Sequence, residues 1–373
     1  MIVFYLSLAC FLFILVILIR KSSFIKHIFL YLVLLSFINI NFLSAKNIIL
    51  QRGSQSFAYE KISEAIYNAD NGDFLYLPPG NFDVTGIQIN KGIHIIGAGY
   101  HPTTTGATGQ TNISGNLVIV KGADGGSIQG LNILNSVLFG IDSSSSEVKN
   151  YTIIRCFIAG KLFLTYAESQ PSKCSNIIIT ENILYNMDGG YASNIIVSNN
   201  IFTQNTFYNI IVTFFKNAIF SNNIFLTRDN FPLNRIYNCT FKNNIIAKGK
   251  FAYSSWDGGY GNILINNLHS STDGLSTQGV VQYEGNVFLE RSKMFVNAKE
   301  DDFRFPNDYH LTQDALQAIT GTDGTQVGIY GGQYPFKDGA APVNPQIIEK
   351  KISSSTNPKG KLNVQIKVKA QNK

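Results

Sequence analysis

The sequence predicts an all-β chain built as a solenoid of stacked parallel strands, on three observations. First, 38 Asn and 32 Gly in 373 residues, with only 14% charged residues, give a composition of tight turns between apolar segments, because Asn and Gly tolerate positive φ. Second, an Asn followed by two bulky apolar residues recurs through the middle of the chain. Third, the stretch before each recurrence alternates with period two, as strands do. A 45% hydrophobic content excludes a disordered chain.

The amino-terminal 45 residues carry Arg20, Lys21 and Lys26 and no acid. Residues 28–42 form an apolar run with basic residues before it and Leu43-Ser44-Ala45 after it. Those are the three parts of a secretory signal cleaved after Ala45. The earlier apolar run, residues 1–19, either makes a helical-hairpin membrane anchor or precedes the true start codon. Both alternatives place the body outside the cytoplasm as a secreted, periplasmic or cell-surface protein, in contact with the membrane only through this segment.

Next, Ala58, Ile62, Ala65, Ile66 and Ala69 share one helical face. A turn, Asp70-Asn71-Gly72-Asp73, then leads into the apolar run Phe74-Leu75-Tyr76-Leu77 and on to Pro78-Pro79-Gly80-Asn81-Phe82. The order predicts a short helix that plugs one end of the stack, hiding apolar core and unpaired strand edge.

The repeat itself is marked by Asn132, Asn182, Asn200, Asn223, Asn244, Asn267 and Asn286, with Cys156 filling the one gap. Successive positions lie 24, 26, 18, 23, 21, 23 and 19 residues apart, the period of a solenoid. Six residues before five of them stands another Asn: Asn150, Asn176, Asn194, Asn217 and Asn238. In this register three columns are expected to point inward: one led by Tyr151 and Ile177, one by Ile153 and Ile179, and one by Phe157, Ile183, Ile201, Ile224 and Ile245. Stacked at about 4.8 Å, the Asn side chains would hydrogen-bond from coil to coil as ladders.

Residues 302–332, ending in Gly328-Ile329-Tyr330-Gly331-Gly332, read as a closing segment, and Pro335, Pro342 and Pro345 as a linker. The tail from Gln346 holds seven Lys and one Glu, and Leu362-Asn363-Val364-Gln365-Ile366-Lys367-Val368 alternates like a strand. The expected division is 1–45 export signal or membrane segment, 46–335 solenoid domain, and 336–373 linker and basic tail. Between the termini, 20 Lys and Arg face 23 Asp and Glu, which lacks the footprint of a nucleic-acid binder.

The coil length, the Asn columns and the run from helix through Gly72-Asp73 to Pro78-Pro79-Gly80 resemble the exported bacterial parallel β-helix proteins of the pectate-lyase-like superfamily. The resemblance covers about residues 47–335. It implies a right-handed parallel β-helix of about ten coils with an N-terminal capping helix. It also implies two chemistries to look for. Hydrolases of the polygalacturonase type cluster three Asp with Gly-His-Gly and Arg-x-Lys around a water, and this chain has no Gly-His-Gly. Lyases of the fold need acidic ligands for Ca²⁺ and a basic residue to take a proton. Basic candidates are Arg228, Lys248 and Lys250, with Arg155, Lys161, Lys173 and Arg235 behind them; acidic ones are Glu181, Asp188, Asp229 and Asp257. No set of carboxylates recurs at coil spacing, so no metal ligands are assigned, and Ca²⁺ enters only if the chain is a lyase.

Aromatic loops are the stronger signal. Asp188-Gly189-Gly190-Tyr191 and Asp257-Gly258-Gly259-Tyr260 repeat one loop, and Tyr253 and Trp256 stand beside the second. Rings on one side of the solenoid would stack on successive sugars while Asp188 and Asp257 accept hydroxyl hydrogen bonds; alternatively, Asp-Gly-Gly makes a turn and the ring covers a coil edge. His94, His101, His269 and His310 stand alone in sequence. Cys156, Cys174 and Cys239 show no ligand spacing; Cys156 and Cys174 form one disulfide or all three remain buried thiols. The expected function is binding of an extracellular polysaccharide without an identifiable catalytic set. The alternatives are a Ca²⁺-dependent lyase acting by β-elimination on an acidic glycan, and a non-catalytic surface or adhesive protein.

Overall fold

The computed structural model describes residues 47–203, 212–226, 231–248, 251–253, 259–340 and 345–370. The chain opens with a hairpin, β1 (Ile48–Arg52) and β2 (Gln55–Tyr59), followed by helix α1 (Ile62–Asn68), whose Ile62, Ala65 and Ile66 are buried. β1 pairs antiparallel with β3 (Phe74–Tyr76), so hairpin and helix together cover the first coil. The Gly72-Asp73 turn is pinned from the hairpin: Arg52 Nη2 lies 2.8 Å from Asp73 Oδ2, and the Asp70 amide donates to the same oxygen at 2.8 Å. The helical cap expected from the apolar face is present over Ile62–Asn68, but Ala58, expected on that face, lies in β2 and is exposed.

From β3 onward the strands are parallel and fall into stacked faces. The first face contains ten parallel strands, from β3 to Val280–Glu284, and the second contains ten, from Gly80–Asp83 to Val287–Phe288. A third set joins the second face through the long strands Phe157–Phe163 and Ile183–Asp188, and continues through Val212–Lys216 and Phe231–Tyr237 to Phe251–Tyr253. The architecture is thus a parallel β-solenoid, all-β apart from short helices.

The corner between first and second faces explains the repeat. Arg155, Glu181, Asn199, Asn222, Asn243 and Asn266 all turn through φ between +52° and +57°, a conformation Asn accepts far more readily than other side chains. The next residue turns inward and is fully buried: Asn182, Asn200, Asn223, Asn244 and Asn267. Each buried amide closes a circuit. Asn200 Nδ2 donates to the Ile179 and Ser198 carbonyls at 2.8 and 2.9 Å, while Asn200 Oδ1 accepts from the Asn182 backbone and side-chain N–H at 2.9 and 3.0 Å. The same links run through Asn223, Asn244 and Asn267 to Asn286. A buried polar group left unpaired costs about 1–3 kcal/mol, so every rung depends on its neighbours.

Three expectations are corrected. Asn132 pairs with Phe157, not with Cys156, so it lies one residue past the buried column, where Leu131 occupies the corner. It belongs instead to a separate ladder in which Asn112 Nδ2 donates to Asn81 Oδ1 at 2.8 Å and Asn132 Nδ2 to Asn112 Oδ1 at 2.7 Å. The two columns led by Tyr151 and Ile153 do point inward, with Phe220 stacked on Phe241 at 4.7 Å. The third does not. Because the corner Asn faces in, strand alternation sends Ile183, Ile201, Ile224 and Ile245 outward and brings Leu184, Phe202, Phe225 and Ile246 inside.

Those outward isoleucines are nonetheless buried, and the cover is the third correction. The segment expected to close the end lies instead as a strap along the second face, packing Tyr309, Ile319, Val327, Ile329 and Phe336 onto them. It starts with the antiparallel pair Phe295–Asn297 and Asp308–Leu311 and the short helix α2 (Gln313–Ala318), which is capped by Thr312. It then runs back down the corner: Asn266 Nδ2 donates to Thr320 O, Asn243 Nδ2 to Thr322 Oγ1, and Asn199 Nδ2 to both Ile329 O and Gly331 O. At the Glu181 coil the Lys337 amide donates to the carboxylate at 3.1 Å. The tail forms an exposed hairpin, Gln346–Ile352 with Val364–Lys369, of which the sequence suggested only the second strand.

Candidate functional site

On the first face the inward residues alternate with outward ones, and on three consecutive coils the outward residue is Ile. Ile178, Ile196 and Ile219 pair in register and are 41%, 41% and 39% exposed. Beside them runs a row of Asn150, Asn176, Asn194 and Asn217, all turning through φ between +55° and +57°, the first three joined as an amide ladder. Asn176 Nδ2 donates to Asn150 Oδ1 at 3.0 Å, and Asn194 Nδ2 to Asn176 Oδ1 at 3.1 Å. These residues line a shallow open groove of about 520 Å³ with no charged side chain in its walls.

Just upstream in each coil lies an aromatic strip. Tyr191, Phe214 and Arg235 share the left-handed turn, at φ of +57°, +58° and +55°. The Tyr191 ring meets Phe214 edge-on at 5.4 Å and Tyr237 at 6.1 Å; Tyr237 meets Tyr260 at 5.1 Å; and the Arg235 guanidinium lies 5.0 Å over Phe214. Tyr260 is 65% exposed, so the strip ends in an open ring. Groove and strip together offer apolar faces and neutral amides, which suit the C–H face and hydroxyls of a sugar.

Of the residues expected to bind sugar, Tyr191 and Tyr260 are brought into one strip. Asp188 is not available to a ligand: it is buried, and its two oxygens accept the Ser169 and Gly190 amides at 2.8 and 2.9 Å. Burial raises its carboxyl above the ordinary range. Trp256 and Asp257 lie outside the described residues, and Tyr253 is described only as part of a strand. The sequence reading missed Phe214 and the isoleucine row, and it offered Arg235 only as a secondary lyase base. The signal was present in Ile177-Ile178-Ile179 and Ile195-Ile196-Val197, where the middle, outward position is apolar although a solvated face calls for a polar residue.

The lyase candidates are dispersed. Lys248 Nζ is ion-paired with Asp301 at 2.7 Å, Lys161 with Glu168 at 3.1 Å, and Arg155 with Glu181 at 2.9 Å beneath the strap. Arg228, Asp229 and Lys250 lie outside the described residues. Among the described residues no three His, Cys, Asp or Glu stand where they could hold a metal ion together. Cys156, Cys174 and Cys239 are free and buried, and burial pushes the Cys156 and Cys239 thiols up to about 12. No protein-family model matches the chain, and no curated protein matches it.

Proposed function

We propose that the chain is an exported or envelope-associated member of the pectate-lyase-like β-helix superfamily that binds a polysaccharide along its first face. The observation that carries this reading is the uncharged groove of Ile178, Ile196 and Ile219 and their Asn ladder, flanked on the ladder side by the Tyr191–Tyr260 strip. Membership is supported by the helical cap, the coil lengths and the Asn ladders; export is supported by the apolar and basic pattern before Ala45. An uncharged groove favours a neutral glycan over a uronate.

Calorimetric titration of the full chain with neutral and acidic oligosaccharides tests it. An aromatic contact is worth about 0.5–1.5 kcal/mol beyond area burial. Tyr260→Ala and Ile196→Ser are therefore each expected to weaken a neutral glycan by about threefold to tenfold. Unchanged binding in both variants, or no binding to any glycan, removes the proposal. Release of unsaturated uronate ends during the same incubations would instead establish the lyase alternative.

A second reading, surface assembly, has its own observation. Among the described residues no further strand lies beyond Val280–Glu284 in the first face, and Val281 within it is 71% exposed. An unpaired edge of this kind templates pairing with another chain. Sedimentation that shows an oligomer in the native chain and a monomer in Val281→Lys would favour it.

A further inference from the structure

Between the strap and the second face lies a cavity of about 340 Å³. Its floor is Ile183 and Ile201, and its walls are aromatic, including Tyr100, Phe305 and Phe336. Its mouth is polar. The His310 ring stacks on Tyr330 at 3.9 Å with the planes 9° apart, and its Nδ1 lies 2.7 Å from Asp308 Oδ1. The Tyr330 hydroxyl donates to Asp338 Oδ1 at 2.6 Å. With Nδ1 donating to Asp308, Nε2 faces Asp338 Oδ2, 3.9 Å away, and in the neutral form of the ring Nε2 carries the lone pair. Two acceptors cannot bond each other, and at this separation a donor placed between them reaches both. His101, also at the mouth, is held below its ordinary value by burial, and neither Lys nor Arg lines the cavity.

We propose that this cavity binds a hydroxylated ring carrying an ammonium group, with amino sugars as the ligand class. The ammonium sits between His310 Nε2 and Asp338 Oδ2, and the apolar face of the ring lies against the aromatic walls, where a cation is also favoured. Two carboxylates and no cation at the mouth oppose uronates and phosphates. The site is built from the strap and the second face, and it does not depend on the groove of the first face.

The test is calorimetric titration of the full chain, purified in mild detergent, with a glucosamine tetramer, its N-acetylated counterpart and a galacturonate tetramer. The glucosamine tetramer is expected to bind, with at least about tenfold loss in Asp338→Asn and in His310→Gln and no change in Tyr260→Ala. Asp338 is largely exposed, so its amide variant keeps the fold, and the circular dichroism of each variant checks this. The proposal is overturned if the glucosamine tetramer does not bind, if both cavity variants bind it as the native chain does, if galacturonate binds equally well, or if Tyr260→Ala alone abolishes binding. The last outcome would move the ligand to the first face, and neutral-glycan binding there stands or falls separately.

Discussion

Arg155 and Glu181 occupy the same corner of consecutive coils and bind each other bidentately, Nε to Oε2 at 2.9 Å and Nη2 to Oε1 at 3.2 Å, with only 5% and 3% of their surfaces exposed. Both sit in the left-handed turn that Asn199, Asn222, Asn243 and Asn266 occupy above them. Removing one partner leaves a buried charge, at a cost of about 3–5 kcal/mol. Glu181→Ala is therefore expected to lose that much in denaturant unfolding. The double variant Arg155→Asn with Glu181→Asn, which extends the Asn column, should recover most of it. A double variant no more stable than Glu181→Ala would contradict this.

The two kinds of Asn ladder should respond differently to truncation. Asn223 accepts from Asn200 and donates to Val197 O and Asn244 Oδ1 in a dry interior. Asn223→Ala strands several of these groups at about 1–3 kcal/mol each and should lower the midpoint of thermal unfolding by many degrees. Asn176, on the exposed ladder, exchanges its bonds for water, and Asn176→Gly, which keeps the left-handed turn at φ of +56°, should cost under about 1 kcal/mol.

Asp188 predicts a pH dependence. Burial raises its folded pKa above the unfolded value, so its contribution to stability is fully present below the unfolded pKa and is lost as pH rises through the folded one. As pH rises from the ordinary carboxylate value of about 4 through the raised folded one, the native chain should lose stability relative to Asp188→Asn. Urea midpoints of the two proteins across that range measure it, and parallel curves would refute it.

Gly339 closes the strap against the loop before the third coil, at φ of +73°, where a Cβ would collide with Thr104 Oγ1. Gly339→Ala should cost about 1–3 kcal/mol locally. Hydrogen exchange should accelerate at the Lys337 amide, which ties the strap to Glu181, and at the Phe336 amide, bonded within the strap to Ile329 O, and remain unchanged at the buried ladder amides of Asn200 and Asn223.

The sequence made the coils legible because each is defined within its own 18 to 26 residues: an Asn at the corner, another six residues earlier, and alternation between them. It could not show which side of a strand faced the core once both sides were apolar. Ile183 and Leu184 are equally hydrophobic, and only the strap, more than 100 residues downstream, decides that the first is covered from outside. The register slip at Asn132 has a related origin, since the coil with Leu131 at its corner carries its Asn one residue later. The cavity was illegible for a stronger reason. His101 and His310 look solitary in the chain and line one cavity only because the strap returns past five coils.

That return path also fixes how long the molecule is. A solenoid whose coils touch only their neighbours tolerates gain or loss of a unit. Here Thr320, Thr322, Gly331 and Lys337 are matched in turn to Asn266, Asn243, Asn199 and Glu181. Deleting one coil between them would shorten the stack by about 4.8 Å without shortening the strap, and every later match would fall between rungs. The strap acts as a gauge laid along the stack, so a change in coil number requires a matching change in its own length.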